Sequence, residues 1–582
     1  MTLQVTPRRW AALVLVVLVL GGCSTLPASG PVHTRPDPSV NASLAAPYFE
    51  PPGPTRGDDQ AGIVRGFLLA MQANPPSTAV AREFLSERSR TEWKPVQGTI
   101  VYDVSTVETA GGAVSARLTD AHRLDPSGGW IGGTAAATTT VPFSLVQEGG
   151  QWRIDNPPNA LAVPSSYFSS LFAPFDLYFY DRSGTVLVPS RVYIPRGEQT
   201  ATDLVRGLLA GPSASLAQVA VSAFAPQTGL DLSVVVNDAG VAEIPLGPRF
   251  SQLAPADLAR AVAQLARTLR QVPGINRLRV TVAGTPVPLI GGATDVSVNA
   301  GSEADPDLAQ ARDLVAIQNK RVVRLGTGVP TPIGGPLGQP GFSLRSVALD
   351  IAAYRVAAVA TNGTRLYTAA DRGSTAVKDV SSMLVGASNL LRPTYDQFGG
   401  LWDIDATPGG AVVHLVGTRR DRVLSVPGIS GQRVSAFTVT ADGTRLVAAL
   451  ATGSTPTILV SSIVRSTSGA VLDVLPAGRI PYNGADLGAA IDVAQNSPTT
   501  VAVLSQATKD SGRIVSLELD GSPGDPSTAT PALVPGVLVG LVASPDTSLP
   551  VQVITYDHRL LLRGDTGQWV RAADAVLAGA YP

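Results

Sequence analysis

Residues 434–450 read VSAFTVTADGTRLVAAL: an apolar run, the polar turn Ala-Asp-Gly-Thr, then a second apolar run. Apolar runs flanking an Asp-Gly turn predict an antiparallel hairpin. Residues 357–367, AAVATNGTRLY, repeat the pattern. The shared Gly-Thr-Arg-Leu begins at Gly363 and again at Gly443, which is 80 residues, or two periods of about 40. Between them, Gly399-Gly400-Leu401-Trp402-Asp403 supplies a Trp-Asp step, and residues 489–505 and 537–555 repeat the run-turn-run texture. Short strands at this period predict the blades of an all-β propeller over residues 314–582, about five to seven of them. The apolar segment 314–317 is expected to close the ring by joining the last blade.

Working back from the propeller, residues 291–313 are rich in Gly, Ala and Asp and read as a linker with a short helix at 306–312. Residues 166–290 form an α+β unit. A hairpin turns at Asp181-Arg182-Ser183-Gly184, and a helix carries Leu204, Val205, Leu208 and Leu209 and stops at Gly211-Pro212. A second hairpin turns at Asn237-Asp238-Ala239-Gly240. A long helix at 255–271 places Leu258, Val262, Leu265 and Leu269 on one face, and 278–282 is read as the closing strand. The order of these landmarks resembles the GerMN domain of spore-germination and other cell-surface proteins, a resemblance that implies a binding or assembly module. Residues 56–165 form a first α+β unit. Asp58-Asp59 starts a helix bearing Ile63, Val64, Phe67, Leu68 and Met71, and Pro75-Pro76 stops it. A meander then ends in Gln151-Trp152-Arg153-Ile154. Helices followed by a meander look similar to the cone of NTF2-like domains.

The chain starts with Arg8-Arg9, an eleven-residue apolar run at 10–20, and Leu20-Gly21-Gly22-Cys23. The run is too short to span a bilayer, which takes about 20 residues, and reads as a secretory signal peptide over 1–22. Cys23 is the only cysteine in 582 residues. The segment resembles the lipobox of bacterial lipoproteins, which implies cleavage between Gly22 and Cys23 and acylation of Cys23 with S-diacylglyceryl and N-acyl (palmitate-type) chains. Each buried CH2 contributes about 0.8 kcal/mol, so two or more chains anchor stably in the lipid bilayer. Residues 23–55 are then the lipidated N-terminus and a Pro/Ser/Gly-rich tether. Losing 1–22 leaves 42 basic against 45 acidic side chains, and nothing in that balance points to nucleic acid.

Catalytic candidates are few. Asp103 and Asp155 could act as a general base in a cone pocket, although solvated strand-end carboxylates are the simpler reading. His122 stands alone without a neighbour at ligand spacing. Glu243 is read as an outward strand position. Asp350, Asp396, Asp403, Asp405 and Asp492 could line a propeller channel, yet Asp in blade turns more often caps a turn. His414 and His558 are far apart in sequence. No phosphate loop, nucleophile elbow or metalloprotease motif occurs. The expectation is no catalytic residue, no metal and no cofactor.

The succession of lipobox, cone-like domain, GerMN-like domain and propeller resembles the LpqB lipoproteins of actinobacteria. That resemblance implies a lipid-anchored protein on the extracytoplasmic face of the cell membrane. Its implied partner is the extracytoplasmic domain of a sensor histidine kinase of the MtrA–MtrB two-component type, with effects on the envelope and on division. The alternatives are a binding lipoprotein for wall glycan or a small solute, and a propeller hydrolase or lyase acting on envelope polysaccharide.

Overall fold

Asp59 begins the first helix, Gln60–Ala70, by accepting a hydrogen bond from Gly62 N at 2.6 Å. The computed structural model describes residues 48–133, 137–306, 313–326, 328–417, 421–451, 456–482, 487–524, 532–564 and 567–582. Gly22, Cys23, the tether up to residue 47 and nearly all of the helix expected at 306–312 lie outside the described residues. The helix buries Ile63, Val64, Phe67 and Leu68 in a core shared with Phe84, Trp93, Tyr102, Phe143 and Ile154. That core is walled by a four-stranded sheet, a three-stranded sheet and the hairpin Leu145–Glu148/Gln151–Ile154. In the four-stranded sheet, Thr99–Tyr102 pairs antiparallel with His122–Leu124 and parallel with Leu161–Pro164.

The second unit opens with a long hairpin, Phe172–Asp181 against Leu187–Pro195. Its turn is fixed by the buried Asp181, whose carboxylate accepts from Ser183 N, Thr185 N and Val186 N. Helices Thr200–Ala210 and Pro255–Leu269 fill one core with this hairpin and a second sheet; Val262, Leu265 and Leu269 are fully buried in it. The strand Arg277–Val282 is interior rather than closing: it pairs parallel with Val241–Pro245 and also antiparallel with Asp295–Ser297. Parallel pairing needs a crossover, and the helix Pro255–Leu269 provides it.

The remaining residues build a propeller. Among the described residues it has six blades, each a sheet of four or five antiparallel strands. The inner strands of blades 2 to 6 are Leu344–Leu349, Thr394–Tyr395, Val434–Val439, Ala490–Gln495 and Leu538–Val542. Blade 1 is composite. Its inner strand is the C-terminal Val576–Ala580, and its next strand is Leu314–Gln318, paired at Val315–Ala580, Ala316–Gly579 and Ile317–Ala578. The ring is therefore closed by non-covalent pairing of the domain's first and last strands, which removes two sheet edges at once. The two Gly-Thr-Arg-Leu motifs occupy different blade positions. Gly363 turns between the second and third strands of blade 2, whereas Gly443 turns between the first and second strands of blade 4. Both glycines have φ near +70° (74° and 67°), so the motif marks a tight hairpin rather than a blade register.

Val315 and Ile317 of the closing strand are fully buried. Ile317→Ala is expected to destabilise the propeller by about 2–5 kcal/mol, through lost burial and a cavity at the closure. Urea denaturation followed by far-UV circular dichroism measures the shift.

Candidate functional site

The strand Leu187–Pro195 carries one charge, Arg191, in an otherwise apolar and aromatic run. It faces the propeller. Arg191 Nε donates to Asp176 Oδ1 at 2.8 Å within its own domain, and Nη1 lies 3.2 Å from Glu518 Oε1 in blade 5. Its Nη2 donates to Thr499 Oγ1. Beside it, Arg445 Nη2 of blade 4 donates to the Pro189 carbonyl at 3.2 Å. Two residues along, Tyr193 touches all three folded parts. Its N–H donates to the Gly128 carbonyl of the first domain at 2.8 Å, and its ring packs 5.3 Å from that of Phe168. Its hydroxyl donates to Ser522 Oγ at 2.8 Å and accepts from Gly524 N at 3.2 Å in the propeller.

The seam is buried and short of positive charge. Burial works against the Arg191 charge, but Asp176 and Glu518 outweigh it and hold the guanidinium above its ordinary pKa. Burial pushes Glu518 from 4.5 up to about 8 against the pull of Arg191, with Asp520 and Asp176 adding to the rise. Burial raises Asp520 as well. Two guanidinia, Arg191 and Arg445, share this seam with three acids, and burial at Glu518 outweighs the pull of Arg191, so a proton is retained there.

The propeller channel is the second feature. Of the five candidate acids, Asp492 alone lines a channel cavity. Its oxygens accept from Val493 N and Leu541 N, each at 2.9 Å, and Arg392 lies 3.0 Å away. Arg392 in turn donates to the carbonyls of Leu541 and Val493, at 3.1 and 2.7 Å, and so ties blades 5 and 6 to the segment entering blade 3. Asp350 accepts from Tyr354 N and Arg355 N, and Asp405 from Ser388 N and Asn389 N, so both fix turns or loops. Asp396 accepts from Phe398 N, Gly400 N and Trp402 Nε1 and meets the buried Arg465. Asp403 is fully buried between blades 2 and 3 with neither carboxyl oxygen hydrogen-bonded, and burial holds it well above the usual carboxylate range.

The other candidates are dispersed. Hydrogen bonds from Ser86 and Arg88 lower Asp155, which makes it a lock between a helix and a strand end. Asp103 accepts from Ser165 Oγ at 2.8 Å. His122 lies 3.3 Å from Asp120 and packs on Trp130, His414 pairs with Asp421 at 2.8 Å, and His558 sits in a turn at φ 61°. Glu243 points outward from its strand. Among the described residues no group of three His, Cys, Asp or Glu could hold a metal ion. Arg191, Tyr193, Glu518, Arg345 and Arg392 were not singled out by sequence. The lone charge in an apolar strand was the available signal for Arg191.

Comparison with known proteins places these units. Residues 53–169 match the family described as Lipoprotein LpqB, N-terminal domain, and residues 320–582 match the Lipoprotein LpqB beta-propeller domain. The chain belongs to the LpqB lipoprotein family. Between these two regions, residues 176–288 match the family described as Sporulation and spore germination. "Lipoprotein LpqB" of Cutibacterium acnes is 26% identical across 100% of both chains, and that of Streptomyces coelicolor is 24% identical across 97% of this chain and 96% of its own. Among solved structures, the first GerMN domain of the sporulation protein GerM from Bacillus subtilis is 21% identical, with a TM-score of 0.19, over 22% of this chain and 94% of that one. Both LpqB descriptions are of domains of a lipoprotein.

The seam has a definite pH dependence. The folded chain keeps a proton at Glu518 that the unfolded chain releases above about pH 4.5. Stability contributed at this site is full below that pH, falls as pH rises towards about 8, and is level beyond. The melting temperature of the wild type is expected to fall between pH 5 and pH 8. Glu518→Gln, which carries no charge to neutralise, is expected to flatten that slope in calorimetry.

Proposed function

We propose that this chain is a lipid-anchored adaptor of the cell envelope. In this reading it contacts the extracytoplasmic domain of a two-component sensor kinase of the MtrA–MtrB type and so influences envelope integrity and division. The observation that carries the reading is the buried seam through Arg191 and Tyr193, which ties the three folded units together. Units tied in this way present a composite surface, and a tether confines it near the membrane. Confinement raises the effective concentration at a neighbouring ectodomain to the millimolar range, so a weak interface suffices. A change in kinase activity further requires unequal affinity for the kinase's two signalling states.

The anchor in this reading is Cys23, exposed as the new N-terminus by a cut after Gly22 and acylated with palmitate-type chains. The domain limits proposed with it are 56–165, 166–290 and 314–582; the stretch read as a linker at 291–313 is not one throughout, since Asp295–Ser297 pairs with Arg277–Arg279 of the second unit and Val296 and Ala304 are buried against it. The first of these is proposed to be an NTF2-like cone.

Two measurements test the reading. Cys23→Ala is expected to release the mature chain from membranes into the aqueous phase of a detergent partition and to abolish palmitate labelling. In vesicles carrying the kinase and its response regulator, added chain is expected to change regulator phosphorylation about twofold or more. An unchanged rate, with labelling intact, removes the kinase from the proposal and leaves the anchor standing.

A further inference from the structure

The inner strands of a propeller begin at one mouth of the channel and end at the other. The seam with the second domain uses the end-side loops, through Thr499, Arg445 and Glu518. The opposite mouth, where the inner strands begin, holds a cavity of about 140 Å³. Its polar lining includes Arg345, Ser346, Arg392 and Asp492, and its rim includes Val539 and Leu577, which are 42% and 37% exposed.

Two features of this lining are unspent. Ser346 is 8% exposed, and its Oγ has no hydrogen-bond partner; Arg392 Nε is likewise buried and unpartnered. A buried donor without a partner is costly, so such groups at a cavity wall mark a place where a ligand completes the bonding. The charge is also unbalanced. Asp492 pairs with Arg392. Among the described residues Arg345 has no carboxylate in ion-pair contact; it donates to Asn389 Oδ1, at 2.7 Å, and to the Leu390 carbonyl. Asp403, the acid that bears on Arg345 electrostatically, does not line the cavity, and burial pushes it well above the usual carboxylate range. Within the lining, the Arg392–Asp492 pair is matched and the Arg345 guanidinium is left without a carboxylate, which suits a monoanion better than a dianion.

We propose that this channel mouth binds a small monocarboxylate with an apolar substituent. The carboxylate sits against Arg345, Arg392 and Ser346, and the substituent lies against Val539 and Leu577. The guanidinium forks and the hydroxyl are all donors, which a carboxylate accepts from without supplying a proton of its own. The apolar rim rewards chain length, at about fourfold in affinity for each methylene it buries.

The test is calorimetric titration of the full mature chain at pH 7 with acetate, butyrate and inorganic phosphate. Expected are saturable binding of butyrate at one site, weaker acetate, and phosphate weaker still. Arg345→Gln and Ser346→Ala are each expected to weaken butyrate binding about fivefold or more, the hydroxyl variant with an unchanged melting temperature. No saturable carboxylate binding up to about 10 mM would overturn the proposal. So would phosphate binding ahead of butyrate, or butyrate affinity unmoved by both variants. None of these outcomes bears on the adaptor reading, which rests on the seam at the other mouth.

Discussion

Arg191 is the interaction on which the arrangement of the molecule depends. It pairs with the Asp176 carboxylate in its own hairpin and meets Glu518 of the propeller, which burial keeps protonated up to about pH 8, in a buried seam. A buried ion pair adds little net stability, because desolvating both ions offsets most of their attraction. Its effect is on geometry. Any tilt of one domain against the other leaves a carboxylate or the guanidinium buried and unpaired, which costs several kcal/mol. Tyr193 extends the same constraint to the first domain through the Gly128 carbonyl, and to the propeller through Ser522. The interdomain angles are thus fixed by hydrogen-bond direction as well as by apolar contact.

What the sequence disclosed follows the range of the interactions concerned. Local chemistry was legible. Asp59 starts its helix, the stripe of Val262, Leu265 and Leu269 is buried, and the Asp-Gly turn at Gly443 is a hairpin. The segment at 314–317 joins the end of the chain as its apolar run suggested. Longer-range features were partly hidden. The Gly-Thr-Arg-Leu pair suggested an 80-residue double period, yet the two copies sit at different turns, because the same four residues suit any tight hairpin. The strand at 277–282 looked terminal because nothing in its own residues distinguishes parallel from antiparallel pairing. The seam was invisible: Arg191 and Thr499 are 308 residues apart.

The acids of the propeller show how one residue type divides by environment. Asp350, Asp396 and Asp405 spend their oxygens on backbone N–H groups, and each fixes a turn or loop. Asp492 does the same with Val493 and Leu541 but also meets Arg392 in the channel. Asp403 is fully buried, and burial pushes it well above the usual carboxylate range. Sequence spacing treats these five alike, and only their neighbours separate them.

The composite first blade has a consequence in time. A chain made from its N-terminus produces Leu314–Gln318 long before Val576–Ala580, its inner neighbour in the finished ring. Export in the same direction would preserve that order. Until the last seven residues arrive, blade 1 lacks its inner strand, and the unpaired edges beside it are templates for wrong pairing. Closure of the ring, and of the channel wall at Gly579, waits on that strand.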